Sequence, residues 1–261
     1  MGTTPEDGSY ANYIFNNTIY SVREIPSSFC YGIQLMCKDT LVLNNTVYNT
    51  FRGLSTTSSG NQFIGNIIYN IHGAYYSSAT DEQGADFAIY AGSNSLVKDN
   101  LIYDCNFKVE TDDKMTGAIS AGKNSIVINN TVKDCVGTGV KIDGNNVTVI
   151  NNSLNISGYG VHIHGTKADI NIESNVIDSN DFSAIRIKRL SKNNFPKNII
   201  IQNDTLYSTS DEGVIYIDNG CENYVYSSNN IIYGPSGTPE IDDDTTHLIN
   251  ENNFYNYFSI T

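Results

Sequence analysis

Tryptophan is absent from this chain of 261 residues, and charged residues make up only 16% of it. Leucine and alanine are too scarce for a helical protein, and Asn, Ser, Thr, Gly and 18 Tyr take their place. That mixture is weighted toward strand and turn formers. No apolar stretch is long enough to cross a bilayer, which excludes membrane insertion. The opening Met1-Gly2-Thr3-Thr4-Pro5 lacks a basic segment followed by an apolar run, so no signal peptide is read there. The five cysteines include no C-x-x-C pair, which argues against a structural zinc site. A net charge of −13 sets nucleic acid and anionic membrane surfaces aside as partners.

What is present is a repeat. An Asn followed by strand formers, often ending in Tyr, recurs as Asn17-Thr18-Ile19-Tyr20, Asn45-Thr46-Val47-Tyr48, Asn66-Ile67-Ile68-Tyr69 and Asn100-Leu101-Ile102-Tyr103. It continues at Asn130, Asn152, Asn175, Asp204, Asn230 and Asn253, with closest spacings of 21 to 23 residues. A second strand runs into that Asn, as in Ile126-Val127-Ile128 and Val147-Thr148-Val149-Ile150. A further strand opens on Gly or another small residue, as in Gly139-Val140-Lys141-Ile142, Gly160-Val161-His162-Ile163 and Ala184-Ile185-Arg186-Ile187. Each unit thus holds three short strands separated by tight turns. A unit of about 22 residues cannot bury its own apolar face, but stacked units about 4.8 Å apart share one continuous core. The reading is all-β: a right-handed parallel β-helix of about ten coils, roughly 45 Å long. The Asn between the second and third strands suits a turn that needs φ > 0, and stacking aligns the amides into a ladder.

The G-[IV]-x-[IL] … N-N-x-[IV] pattern resembles the pectin-lyase-like superfamily of right-handed parallel β-helices over nearly the whole chain. The Asn/Thr/Tyr-rich style is also similar to adhesin-like surface proteins of methanogenic archaea. The first resemblance implies polysaccharide lyases, glycosidases, epimerases and phage tailspikes; the second implies extracellular stalks or binding domains. Asn-x-Ser/Thr acceptors at Asn16, Asn44, Asn129, Asn146, Asn151, Asn155 and Asn203 are compatible with a glycosylated surface protein, although an Asn-Asn-Thr repeat creates them by construction. Residues 1–10 show no capping helix, and Phe254 to Phe258 reads as part of another coil, so residues 1–261 are expected to be one β-helical segment of a longer repetitive protein. Cys105 and Cys135 each follow the repeat Asn by five residues, so they fall at one place in consecutive coils, as a disulfide or as two stacked thiols.

In the superfamily, active sites lie on the sheet of the first strand. Its outward column runs Gln34, Tyr90, Ser120, Lys141, His162, Arg186 and Tyr216, and the column two residues on runs Asp143, His164, Lys188 and Asp218. Lys141, His162, His164 and Arg186 are the catalytic candidates. Tyr90, Asp143, Lys188, Tyr216 and Asp218, with Tyr75 and Tyr76 on an insertion beside the same sheet, are the candidates for ligand contact. As a lyase or epimerase on a uronic-acid polymer, cations would neutralise the carboxylate and Lys or His would take the proton. Arg186-Ile187-Lys188 resembles the Arg-Ile-Lys motif of polygalacturonases. Asp143 and Asp218, however, sit three coils apart, about 14 Å, whereas an inverting pair needs roughly 6.5–9.5 Å. A metal held by His162, His164 and Asp143 is a weaker reading, and no cofactor is expected. The leading expectation is a non-catalytic, extracellular, adhesin-like domain that binds a polysaccharide or cell-surface glycan through this face, next to further repeats of its own chain.

Overall fold

The computed structural model describes residues 12–20, 31–72, 87–107, 116–191, 195–218, 221, 225–235, 241–242 and 249–258. The described residues form three parallel sheets and no helix. A first sheet of nine strands runs from Tyr31–Leu35 to Ile241–Asp242. A second, of ten, runs from Asn12–Phe15 to Ile249–Glu251, and a third, also of ten, from Thr18–Tyr20 to Phe254–Phe258. Each chain pass contributes one strand to each sheet and pairs in parallel with the next pass, the expected right-handed parallel β-helix. Insertion residues 73–86 and 108–115, and with them Tyr75 and Tyr76, lie outside the described residues.

Register locks the columns. In the second sheet Val97, Val127, Val149, Ile172 and Ile201 stack in line and are fully buried. Alternation sends their neighbours outward. At the entrance to the first sheet glycine lets neighbouring coils approach closely in two places, because a Cβ on Gly160 would meet the Ala184 carbonyl oxygen at 2.2 Å, and one on Gly53 the Ala88 oxygen at 2.2 Å.

The paired Asn residues divide two tasks. The first of each pair takes the left-handed turn, with φ between 53° and 57° at Asn16, Asn44, Asn129, Asn151, Asn203, Asn229 and Asn252. Where it is missing, Gly65, Asp99 and Ser174 adopt φ values of 62°, 55° and 57°. The second points inward and forms the ladder. At each rung from Asn17 to Asn152, the main-chain N–H and the side-chain amide both donate to Oδ1 of the next rung, at 2.9 to 3.1 Å. Asp204 stands as the one acid in this series of described rungs.

A second ladder runs on the outer face of the third sheet. The rings of Tyr20, Tyr48, Tyr69 and Tyr103 stack at 5.3, 4.8 and 4.9 Å, within 17° of parallel. Lys133 Nζ caps the last ring at 5.5 Å from its centroid.

Replacing Asn152, 2% exposed, with Ala would strand the Asn130 donors and the carbonyls of Val127 and Ile150 that its amide serves. We expect Asn152→Ala to cost roughly 3 kcal/mol or more in urea unfolding. The exposed Asn155→Ala should stay within about 0.5 kcal/mol of wild type.

Candidate functional site

The outward column of the first sheet assembles as the spacing implies. Gln34, Ser55, Tyr90, Ser120, Lys141, His162, Arg186 and Tyr216 pair in register from coil to coil. Ser55 is an addition: its strand, Arg52–Thr56, ends in Thr where the pattern asks for an aliphatic residue, which hid it. His164 pairs with Lys188 in the neighbouring column. Asp143 and Asp218 extend that column on either side, their main-chain N–H groups bonded to Ala121 O and Ile187 O at 2.8 Å.

The side chains are interlocked rather than displayed. Lys141 Nζ lies 3.1 Å from Asp143 Oδ1, with side-chain exposures of 16% and 26%, and the Ser120 hydroxyl donates to Asp143 Oδ2. Tyr90, two coils away, has its phenol pushed up by burial and then by the Asp143 carboxylate. Arg186 is buried, donates to the Tyr159 hydroxyl, and places its guanidinium carbon 4.5 Å from the Tyr159 ring centroid and 5.5 Å from that of Tyr216. Burial pushes the Tyr159 phenol up, partly offset by that guanidinium. Arg189 and Asp218 form a looser pair at 3.6 Å.

His162 departs from the sequence expectation of a solvated outward side chain. It is fully covered, sandwiched between Tyr159 at 5.4 Å and His164 at 6.0 Å, and neither ring nitrogen has a hydrogen-bond partner. Burial first, then the charges of Arg186, His164 and Lys141, hold it well below 6.5, so the ring is neutral. In this arrangement the imidazole is closed to solvent rather than presented outward on the face. Nor do the two imidazoles converge on a metal: they stack, and among the described residues no three His, Cys, Asp or Glu are grouped to hold an ion.

Tyr159 is the residue that the sequence reading missed. Its signal was its place: an aromatic just before the strand-opening Gly occurs both as Tyr159-Gly160 and as Tyr31-Gly32. Each grips an arginine of the following coil, for Tyr31 by accepting from Arg52, whose guanidinium carbon lies 5.1 Å from the ring centroid.

Cys105 and Cys135 are buried, free thiols stacked in neighbouring coils, each 3.3 Å from the carbonyl oxygen two residues back. In-register parallel strands lie about 4.8 Å apart, inside the Cα separation of roughly 4.4–6.8 Å that a disulfide spans. The pair is stacked as free thiols in this structure, at a spacing that a disulfide could also bridge. A hydrogen bond to Cys135, together with burial, holds the Cys105 thiol up and protonated.

Residues 6–177 match the family described as right handed beta helix region. The chain belongs to that family. No protein of curated function matches it in sequence. Among solved structures it resembles the tailspike protein of E. coli bacteriophage HK620 in complex with a pentasaccharide, at TM-score 0.54 and 11% identity over 95% of this chain and 55% of the tailspike. A hexasaccharide complex of the same tailspike gives TM-score 0.51 and 11% identity, over 96% of this chain and 54% of that one. The Streptococcus pneumoniae surface protein and adhesin PfbA overlays more loosely, at TM-score 0.39 and 15% identity over 96% of this chain and 66% of that one. This β-helix thus spans little more than half of the tailspike's length. At these identities the likeness speaks for the fold, and nothing in it supports the archaeal part of the compositional resemblance.

The sealed His162 has a measurable consequence. As pH falls below 6.5 the unfolded chain gains a proton at this residue before the native one does, so native stability is lost toward acid. His162→Phe keeps an aromatic ring and removes two orphaned nitrogens. The stability gap between variant and wild type should widen below pH 6.5 in thermal melts; parallel curves would contradict the buried assignment. Under native conditions a thiol reagent should label exposed Cys37 at once, and Cys105 and Cys135 only on unfolding.

Proposed function

We propose that the first-sheet face from Lys141 to Tyr216 binds carbohydrate without turning it over, on an extracellular or cell-surface protein. The observation that carries this reading is the interlocking itself. Lys141 is held by Asp143, and the partly exposed Tyr216 ring lies against the buried Arg186 guanidinium, which fixes a cation and an aromatic ring at this face of an acidic chain. Such a surface suits sugars, whose hydroxyls take charged donors and whose apolar ring faces lie on aromatics. A β-helix solved with a pentasaccharide supports the class of ligand by analogy of fold alone. Of the two side chains first in line to act as a lyase or epimerase base, His162 is covered and Lys141 is paired with Asp143, which favours binding over turnover.

A glycan array with wild type, Lys188→Ala and Tyr216→Ala tests the proposal. Both substituted residues are partly exposed, and neither belongs to the aliphatic core. The variants should weaken binding roughly tenfold, the loss of one good contact of about 1.4 kcal/mol. Incubation with uronic-acid polymers should release no unsaturated product absorbing in the ultraviolet. Release of such product, abolished by Lys141→Ala, would replace binding with lyase chemistry. Unchanged binding by both variants would move the site off this face.

A further inference from the structure

The Asn ladder treats its rungs alike until the eighth. From Asn45 to Asn152, each side-chain amide nitrogen donates to the next rung's Oδ1, to the carbonyl two residues back and to a carbonyl of the preceding coil. That place is built for a donor among acceptors. Asp204 sets an oxygen there. Its Oδ1 serves the ladder normally, accepting the Asn175 main-chain N–H at 2.6 Å and the amide at 2.9 Å. Its own main-chain N–H still reaches Asn230 Oδ1 at 2.8 Å. Its Oδ2 is buried and has no hydrogen-bond partner, and the side-chain link to the next rung is missing.

We propose that Asp204 is a proton-operated joint: with a proton on Oδ2 the rung is complete, and without it the two strands of the coil that follows, Val225–Ser228 and Ile231–Pro235, are held less tightly. A protonated carboxyl supplies the hydrogen that an amide supplies elsewhere in the ladder. A carboxylate instead sets a buried charge against acceptor oxygens, which is the costliest way to leave a rung unfinished. The titratable neighbour in electrostatic contact is Glu173 on the preceding coil, whose negative charge favours the proton further; Asn175 on that coil and Asn230 on the next are neutral. Burial raises this carboxyl to about 7, against the hydrogen bonds from Asn175. The sign follows. An acid that ionises less readily in the native chain than in the unfolded one gives a stability that is full below about pH 4 and declines as pH rises toward 7.

The test is hydrogen exchange, read by mass spectrometry on the whole chain, with intrinsic rates corrected for pH. Wild type is compared with Asp204→Asn, which restores the residue that the ladder uses. At pH 8 the segment 225–235 should exchange at least roughly tenfold faster in wild type than in the variant. At pH 4.5 the two should agree, and segment 126–150 should match at both pH values. An infrared C=O band of a protonated carboxyl, present in wild type at pH 5.5 and missing in Asp204→Asn, gives an independent reading. Equal exchange at pH 8, or a band absent from wild type, would overturn the proposal. Because both proteins carry His162, its acid sensitivity cancels in the comparison.

Discussion

Everything in this molecule hangs on one repeated interaction: two donors of one rung, main chain and amide, meeting a single acceptor oxygen of the next. Because the rungs are buried, the bonds cannot be exchanged for water, and slipping a coil by one residue would break them while turning the aliphatic column to solvent. In-register stacking follows. Once coils are in register, any residue placed on a strand acquires the corresponding residues of adjacent coils as neighbours about 4.8 Å away. The aliphatic core, the tyrosine stack, the thiol pair and the Lys141-His162-Arg186-Tyr216 column are all products of that copying.

This explains what could be read in advance. Strand phase, the ladder and the outward columns depend on recurrence, which a sequence shows directly. The site's interior does not recur. Tyr159 reaches the column from the turn before its strand and lays its ring on His162, so an outward position became a buried one. Alternation tells which way a side chain leaves the sheet but not what covers it. Ser55 was hidden by a similar local exception, a Thr in an aliphatic position. The cysteines fall at one place in consecutive coils, as their equal spacing from the repeat Asn implies.

Two titratable groups buried in the coils, His162 and Asp204, penalise opposite excursions of pH. Both occur where one coil departs from the residue type its column tolerates most easily. At such departures from neutral rungs and columns, proton concentration reaches the interior.

The outer tyrosine ladder hides its ring faces in its own stack, so it offers solvent mainly edges and hydroxyls along its length. Rings so close and so nearly parallel share their electronic transitions, and in a chain without tryptophan nothing brighter obscures them. The early coils therefore carry their own optical gauge. Its near-ultraviolet circular dichroism reports how well Tyr20, Tyr48, Tyr69 and Tyr103 keep step, and fades if the coils part.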